Sequence, residues 1–260
     1  MGTDDIFKKR REIRRKRDFG YKQPSANSYL IVTEGKRTEP LYFRGMQKMI
    51  ARKMGGTVNI VEIPVIDIHG EGCSTSKLIE KTDEIISKAN IIYQNIWVVF
   101  DKDDFDDFDQ AIKEAMEKGY KVAWSNQSFE FWIYLHFNYS DSALHRHDWN
   151  EKLDEIFKQY QLGDGKYHKN YEDIYEMVNI HDGVSTAIKF AKRRMGLFNQ
   201  IKDKASEYDP GTTVYMLVEE LKRYLDDRVV DNHIKKLRKA LGEASKVIKT
   251  VRKQGYKLEV

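Results

Sequence analysis

The residues best suited to chemistry in this chain are acids that directly follow a run of apolar residues. Ile96 to Phe100 form an unbroken apolar segment, typical of a strand buried on both faces of a parallel sheet. Asp101, Asp103 and Asp104 come immediately afterwards. Carboxylates this close repel one another unless a cation lies between them, and oxygen-only ligands favour Mg²⁺, Mn²⁺ or Ca²⁺. An acidic first turn of the next helix is the alternative interpretation.

Two more acids follow predicted strands. Glu34 comes directly after the β-branched and aromatic segment 28–33, and Glu130 follows segment 120–124 after a short polar turn. Parallel strands place their carboxyl ends on one edge of the sheet, with neighbouring strands about 4.8 Å apart. We therefore expect the acids at these strand ends to converge and to share one or two metal ions. The predicted metal ligands are Glu34, Asp101, Asp103 and Glu130.

Three basic residues lie among these acids. Lys36, Arg37 and Lys102 could neutralise phosphate charge in a transition state. Divalent ions held by the acids could activate water and stabilise the leaving oxygen of a phosphodiester. The arrangement therefore predicts phosphodiester cleavage, with Glu34, Asp101 and Asp103 as catalytic residues.

Strands and helices alternate along the first half of the chain, which predicts a mostly parallel α/β sheet with right-handed crossovers. The predicted strands are 28–33, 57–66, 96–100 and 120–124, and the helices between and after them begin near 38, 75, 105 and 129. Helical patterns follow at 149–161, 170–180, 184–204, 211–226 and 230–253, with a last strand at 256–260. Whether this helical half covers the sheet or forms a separate lobe stays open. Asp209-Pro210 predicts a helix N-cap followed by a first-turn proline.

A basic segment precedes the predicted fold. Residues 8–17 read KKRREIRRKR, a pattern typical of an arm that binds nucleic acid through phosphates, although a solvated tail is an equal alternative. The predicted nucleic-acid contacts in this arm are Lys8, Lys9, Arg10, Arg11, Arg14 and Arg15. The predicted division is a basic arm over 1–24, an α/β domain over 25–140 and a mainly helical region over 141–260.

Composition excludes several other classes of protein. The 260 residues include 33% charged and 40% hydrophobic residues, as in ordinary globular proteins. No apolar run approaches the roughly 20 residues of a membrane span, and the charged N-terminus lacks the apolar segment of a secretory signal. The single cysteine allows no internal disulfide, so we expect a cytoplasmic protein. The seven scattered histidines show no zinc-binding spacing.

Several segments together resemble a known family. Residues 31–42 (IVTEGKRTEPLY) and the later VVFDKDD are similar to the Toprim pattern, which has a glutamate after its first strand and Asp-x-Asp after its third. More closely, the chain resembles the RloB-like family, which includes AbiL-type abortive-infection proteins. The matching segments are TEGKRTEPLY at 33–42, VFDKDD at 99–104, SNQSFEFWIYLHF at 125–137, YHK at 167–169 and DPGTTVYMLVEEL at 209–221.

The resemblance implies a Toprim-like sheet, a Mg²⁺- or Mn²⁺-dependent nuclease acting in antiphage defence, and a partner ATPase. Related Toprim effectors act on tRNA, so RNA is a candidate substrate beside DNA. Ser128 and Glu130 resemble the Ser-x-Glu motif of the overcoming-lysogenization-defect nucleases. Those nucleases carry another acid four residues after the first glutamate, whereas here Glu39 comes one residue later. Tyr167, His168 and Lys169, in the YHK segment, could contact phosphate or donate a proton; plain surface residues of a helical lobe are the equal alternative.

Two departures and one rival hypothesis remain. Gln127 stands where the family usually has proline, and Asp209 where it usually has asparagine. The rival to the nuclease is a module that binds nucleic acid or a protein partner and whose acids are catalytically silent.

Overall fold

The computed structural model describes most of the chain after its first residues. The described residues are 23–24, 27–55, 64–102, 106–198, 204–225, 234–235, 237–251 and 255–258. The predicted basic arm at 8–17, Asp103, and residues 57–63 of the predicted second strand lie outside them. No described helix combines the length and apolar character that a membrane span needs.

The central element is a five-stranded sheet in the order β3-β2-β5-β6-β7. The first four strands in this order are parallel, and the short β7 pairs antiparallel with β6. The strands are β1 Gln23–Pro24, β2 Ser28–Thr33, β3 Val65–Gly70, β4 Ile91–Ile92, β5 Asn95–Asp101, β6 Lys121–Asn126, β7 Gly211–Thr212, β8 Ile248–Val251 and β9 Gly255–Leu258. The predicted α/β class and mostly parallel sheet are confirmed.

Helices connect the strands and make up most of the second half. They are α1 Thr38–Gly55, α2 Thr75–Lys88, α3 Phe108–Glu117, α4 Phe129–Tyr134, α5 Arg146–Gln159, α6 Ile174–Val178, α7 Gly183–Leu197 and α8 Val214–Lys222. Short 3₁₀ helices span Ile180–Asp182, Ala205–Glu207, Arg223–Leu225 and Gly242–Val247.

The two faces of the sheet bury separate apolar cores because side chains alternate along each strand. Leu30 and Val98 point to the face covered by α2 and α3. Ile31 and Val99 point to the opposite face, which α1 covers. The helices on either side of the sheet therefore follow from the crossover connections between β2, β3 and β5.

The helices of the second half pack on the α1 face of the sheet. Trp149 and Phe157 of α5 and Leu217 of α8 are fully buried in the same cluster as Ile31 and Val99. These helices therefore cover one face of the sheet.

The second strand extends further along the chain than predicted. The predicted strand ended at residue 66, whereas β3 runs from Val65 to Gly70 and pairs in register with β2. Pro64, which has no backbone N–H to donate, immediately precedes it, a position where proline is tolerated. His69 and Gly70 are the last residues of this edge strand.

The predictions for the last part of the chain need two corrections. Asp209-Pro210 does not begin a helix, because residues 211–212 first pair with β6 and α8 starts only at Val214. The predicted helix over 230–253 is wrong beyond its first part, since Ile248–Val251 forms an antiparallel hairpin with Gly255–Leu258. Gly242 has φ +52°, a conformation that ends helices, and β-branched residues follow it. The described part of the predicted strand at 256–260 is confirmed by β9.

Candidate functional site

The carboxylate of Glu34 is held against the end of β5. The backbone N–H of Glu34 donates to Val99 O at 2.8 Å, and the backbone carbonyl of Glu34 accepts from Gly72 N at 2.7 Å. One carboxylate oxygen accepts from Thr75 Oγ1 and the other from the backbone N–H of Asp101, both at 3.3 Å. The turn after β2 and the start of α2 therefore fix the direction of this acid.

Asp101, the last residue of β5, joins that strand to the start of α4. Its Oδ2 accepts from the backbone N–H of Phe129 at 3.0 Å. The residue as a whole is half-buried, but its carboxyl is packed among other acids. Desolvation raises its pKa well above the usual range, and repulsion from Glu39, Glu130 and Glu34 raises it further.

Glu39 lies in the first turn of α1, with only 8% of its surface exposed. Its carboxylate packs directly on Gly35, so closely that a Cβ at that position would collide with it. Burial is the main cause that raises the pKa of Glu39, to about 7, and repulsion from Glu130 adds to it. The backbone of Gly35 and the Lys169 ammonium oppose this rise.

Glu130 lies in the first turn of α4, and only 2% of its surface is exposed. Its Oε1 accepts a hydrogen bond from the Tyr167 hydroxyl at 3.0 Å and pairs with Lys169 Nζ at 3.0 Å. Thr38 Oγ1 donates to Lys169 O at 3.3 Å and lies 3.4 Å from the Tyr167 hydroxyl. The Glu130 carboxylate is therefore held by two residues from outside its own helix, Tyr167 and Lys169.

These groups surround a cleft of about 290 Å³ at the carboxyl edge of the parallel strands. Its lining includes Gly35, Lys36, Arg37, Thr38, Glu39, Asp101, Phe129, Glu130 and Lys169. Lys36 and Arg37 are exposed, and the aliphatic part of Lys36 crosses Gly72. Lys102 is half-buried and continues β5 by donating its backbone N–H to Ser125 O at 2.8 Å. The cleft thus combines buried acids with exposed cations.

Three of the four predicted metal ligands come together as the topology predicted: Glu34, Asp101 and Glu130. The fourth, Asp103, lies outside the described residues. Ser128 is buried, and its Oγ makes no hydrogen bond in the described structure. Sequence reasoning gave Glu39 only a supporting place, although its carboxylate lies among the others. The one signal for it was a second acid in the segment after β2.

The carboxylates of Glu34, Asp101 and Glu130 are described side chains that could ligate a divalent cation. Among the described residues, no three His, Cys, Asp or Glu side chains are already arranged as a cation cage. The chemistry of the donors fits Mg²⁺ or Mn²⁺, since every charged donor is a carboxylate. Burial is the main cause of the raised pKa values of Asp101 and Glu39, and repulsion between the carboxylates adds to it; a bound cation would relieve that repulsion.

A match to a family model shows which protein family the chain belongs to. The family model described as RloB-like protein matches residues 29–221, more than half of the sequence. The chain belongs to the RloB-like family. The RloB-like match contains every residue that lines the cleft and ends at α8. A second model, the C-terminal part of transcriptional regulatory proteins, matches residues 197–258, which include the β8–β9 hairpin. No curated protein and no solved structure matches the chain.

The two departures from the RloB-like pattern contact each other. Gln127 Nε2 donates to Asp209 Oδ2 at 3.4 Å. The carbonyl of Asp209 also accepts from Arg194 Nη2 at 3.1 Å. The two unusual residues therefore belong to one contact between the end of β6 and the approach to β7.

Proposed function

We propose that this RloB-like protein is a divalent-metal-dependent nuclease that cleaves phosphodiester bonds in RNA or DNA, with tRNA among the candidate RNA substrates. The observation that carries the proposal is a cleft lined by the carboxylates of Glu39, Asp101 and Glu130, with exposed Lys36 and Arg37 in its lining. The Glu34 carboxylate lies directly beside it, where it accepts from the backbone N–H of Asp101. The Toprim-like arrangement of Glu34 and Asp101 supports the same class of reaction.

In this proposal, Glu34, Asp101, Asp103 and Glu130 hold Mg²⁺ or Mn²⁺. The ion would supply Lewis-acid stabilisation of phosphate oxygens and an activated water. Thr75 and the Asp101 N–H keep the Glu34 carboxylate directed at the reaction centre. Glu34 is the proposed ligand or general acid/base.

The remaining residues of the cleft bind and position substrate. Lys36 and Arg37, exposed at its opening, would pair with phosphate oxygens whose charge grows in the transition state. Lys169 neutralises Glu130 in the structure and can also reach an incoming phosphate, because more than half of its side chain is exposed. Tyr167 holds Glu130 in place from the buried side.

Nucleic-acid binding has two further supports. The predicted basic arm, including Lys8 and Arg15, would hold the phosphate backbone without reading its sequence. The match of residues 197–258 to a part of transcriptional regulatory proteins also favours nucleic-acid binding. Membership of the RloB-like family supports a role in antiphage defence, alongside a partner ATPase.

The test is cleavage of labelled tRNA, single-stranded RNA and DNA with Mg²⁺, Mn²⁺ or EDTA. Glu34→Gln and Asp101→Asn are expected to lower the cleavage rate at least ~100-fold, the scale of losing an electrostatic contact to the transition state. Glu80→Gln, an exposed change on α2, is the matched control and should cleave normally. Cleavage that persists in EDTA, or equal rates for all variants, would refute the mechanism.

The rival function is a binding module with silent acids. The ion pair between Lys169 and Glu130 favours it, since it already satisfies one carboxylate without a metal. The same experiment separates the two hypotheses. A silent module would bind the oligonucleotides with unchanged affinity in all variants and release no product with either metal.

A further inference from the structure

Helix α1 carries a stripe of basic residues on its exposed side. Arg44, Lys48 and Arg52 are all exposed and are spaced four residues apart. Residues four apart lie on the same helix face, about 6 Å further along the axis at each step. These three side chains, called the α1 stripe below, therefore form a row of positive charge that advances about 12 Å along the helix axis.

The charges of the α1 stripe are not balanced locally. The only acid in α1 is Glu39, which lies in the cleft. Among the described residues, no ion pair joins Arg44, Lys48 or Arg52 to a carboxylate, while Arg44 Nη2 donates to Ile68 O at 3.5 Å. Glu176 of α6, a helix packed against α1, lies beside Gly45 on the flank of the helix.

Helix α2 shows what an ordinary solvated helix surface looks like in this protein. Lys81 and Lys88 both pair with Glu84, at 3.1 and 3.5 Å. Compensation of the helix dipole accounts for a cation such as Arg52 in the last turn of α1, but not for Arg44 in its second turn. The charge of the α1 stripe is therefore available to an external anion.

The α1 stripe is continuous with the opening of the cleft. Thr38 and Glu39, the first residues of α1, line the cleft, and Arg37 precedes them. From Arg37 to Arg52 the chain advances about 22 Å at 1.5 Å per helical residue. An anion that bound both the cleft and the α1 stripe would thus be elongated.

We infer that the α1 stripe binds the sugar–phosphate backbone of a nucleic-acid strand on one side of the bond presented to the cleft. This inference rests on the proposed function and identifies the path that the bound substrate strand follows outside the cleft. The α1 stripe carries three cations, so it can contact about three phosphates of one strand. Because only phosphates are contacted, the binding is independent of base sequence.

The test compares two triple variants in a Glu34→Gln background that prevents cleavage. The first, Arg44→Gln, Lys48→Gln and Arg52→Gln, removes the α1 stripe. The matched control, Lys77→Gln, Lys81→Gln and Lys88→Gln, removes the same charge from α2, which also begins at the cleft edge. Glutamine has nearly the helix propensity of lysine and arginine, so both triples should fold, which circular dichroism checks.

The readout is fluorescence anisotropy with fluorescein-labelled oligouridine and oligothymidine of 6 and 18 nucleotides, measured from 50 to 200 mM salt. Removing the α1 stripe should weaken binding of the 18-mers roughly 10- to 100-fold and lower the slope of log K against log salt by about 2, at 0.7 per phosphate contact. The 6-mers should change about threefold or less, because they barely extend beyond the cleft. The α2 control should behave like the background protein.

Two outcomes would overturn the inference: an unchanged salt slope for the 18-mers, or an equal loss in the α2 control. The α1 stripe would then serve an acidic protein partner or no partner. If the wild type cleaves nucleic acid and the triple variant of the α1 stripe binds it normally, the binding role of the α1 stripe is refuted and the nuclease is not. Stripe-dependent binding without any cleavage by the wild type refutes the nuclease alone.

Discussion

Replacing Glu39 with glutamine is expected to stabilise the metal-free protein, and increasingly so as pH rises. Burial and Glu130 together raise the pKa of the Glu39 carboxyl from 4.5 to about 7. A change of this size means that the ionised form costs about 3 kcal/mol in the folded protein. Glutamine keeps the shape that packs on Gly35 and can still accept a backbone hydrogen bond, but it carries no charge.

The direction in which the free energy of unfolding changes with pH follows from the number of protons that the folded and unfolded states bind. Between pH 4.5 and about 7 the folded protein keeps the Glu39 proton, which the unfolded chain has already lost. The folded state then binds more protons, so the free energy of unfolding falls as pH rises through this window. The energetic cost of ionised Glu39 in the folded protein is absent below pH 4.5 and complete above pH 7. The advantage of Glu39→Gln should therefore grow from near zero at pH 4.5 to about 3 kcal/mol at pH 8.

The measurement is urea unfolding of both proteins at pH 4.5, 6, 7 and 8 in EDTA. Glu80→Gln, in which an exposed acid is replaced, controls for general charge effects. A difference between Glu39→Gln and wild type that stays constant with pH would contradict the account of the cleft. So would a variant that is less stable than wild type at pH 8.

Three other substitutions and one control at an exposed position test the packing around the cleft and the core, each by its urea unfolding midpoint. Gly35→Ala should destabilise by about 1–3 kcal/mol because the new Cβ collides with the Glu39 carboxylate, and an unchanged midpoint would show that this carboxylate moves freely. Tyr167→Phe should cost about 1.5–3 kcal/mol by removing a buried hydrogen bond to Glu130, and a loss below about 0.5 kcal/mol would argue against that bond. Trp149→Ala should cost about 3–5 kcal/mol from the fully buried core, whereas Met116→Ala, at an exposed position, should stay within about 0.5 kcal/mol.

The strands in the middle of the sheet were predictable because they are buried on both faces. Residues 30–32 and 97–100 have almost no exposed surface, so nearly every position must be apolar. Once two such strands are known to be parallel, their carboxyl ends must share an edge. That is why the convergence of Glu34 and Asp101 followed from the sequence.

The elements that the sequence did not reveal depend on long-range contacts. Strand β7 has only two residues, too few for a periodic pattern, and its partners are residues 125–126. Strand β8 lies within a basic segment whose spacing also suits a helix, whereas its partner β9 was predicted as a strand. Glu39 joins the acids only because the turn at Gly35 lets its carboxylate pack against the backbone, and no sequence pattern reports that packing.

The pairing of β7 with β6 also constrains how the chain is assembled during synthesis. Thr212 and Thr213 supply hydrogen bonds to the end of β6, at Ser125 Oγ and Trp124 N, across nearly 90 positions of sequence. Domains form as the chain emerges from the ribosome at about 5–20 residues per second. For several seconds after β6 emerges, it must remain an unpaired sheet edge, a feature prone to intermolecular pairing. The nascent protein therefore passes through a stage in which its acids are already on the sheet while one edge of that sheet is open.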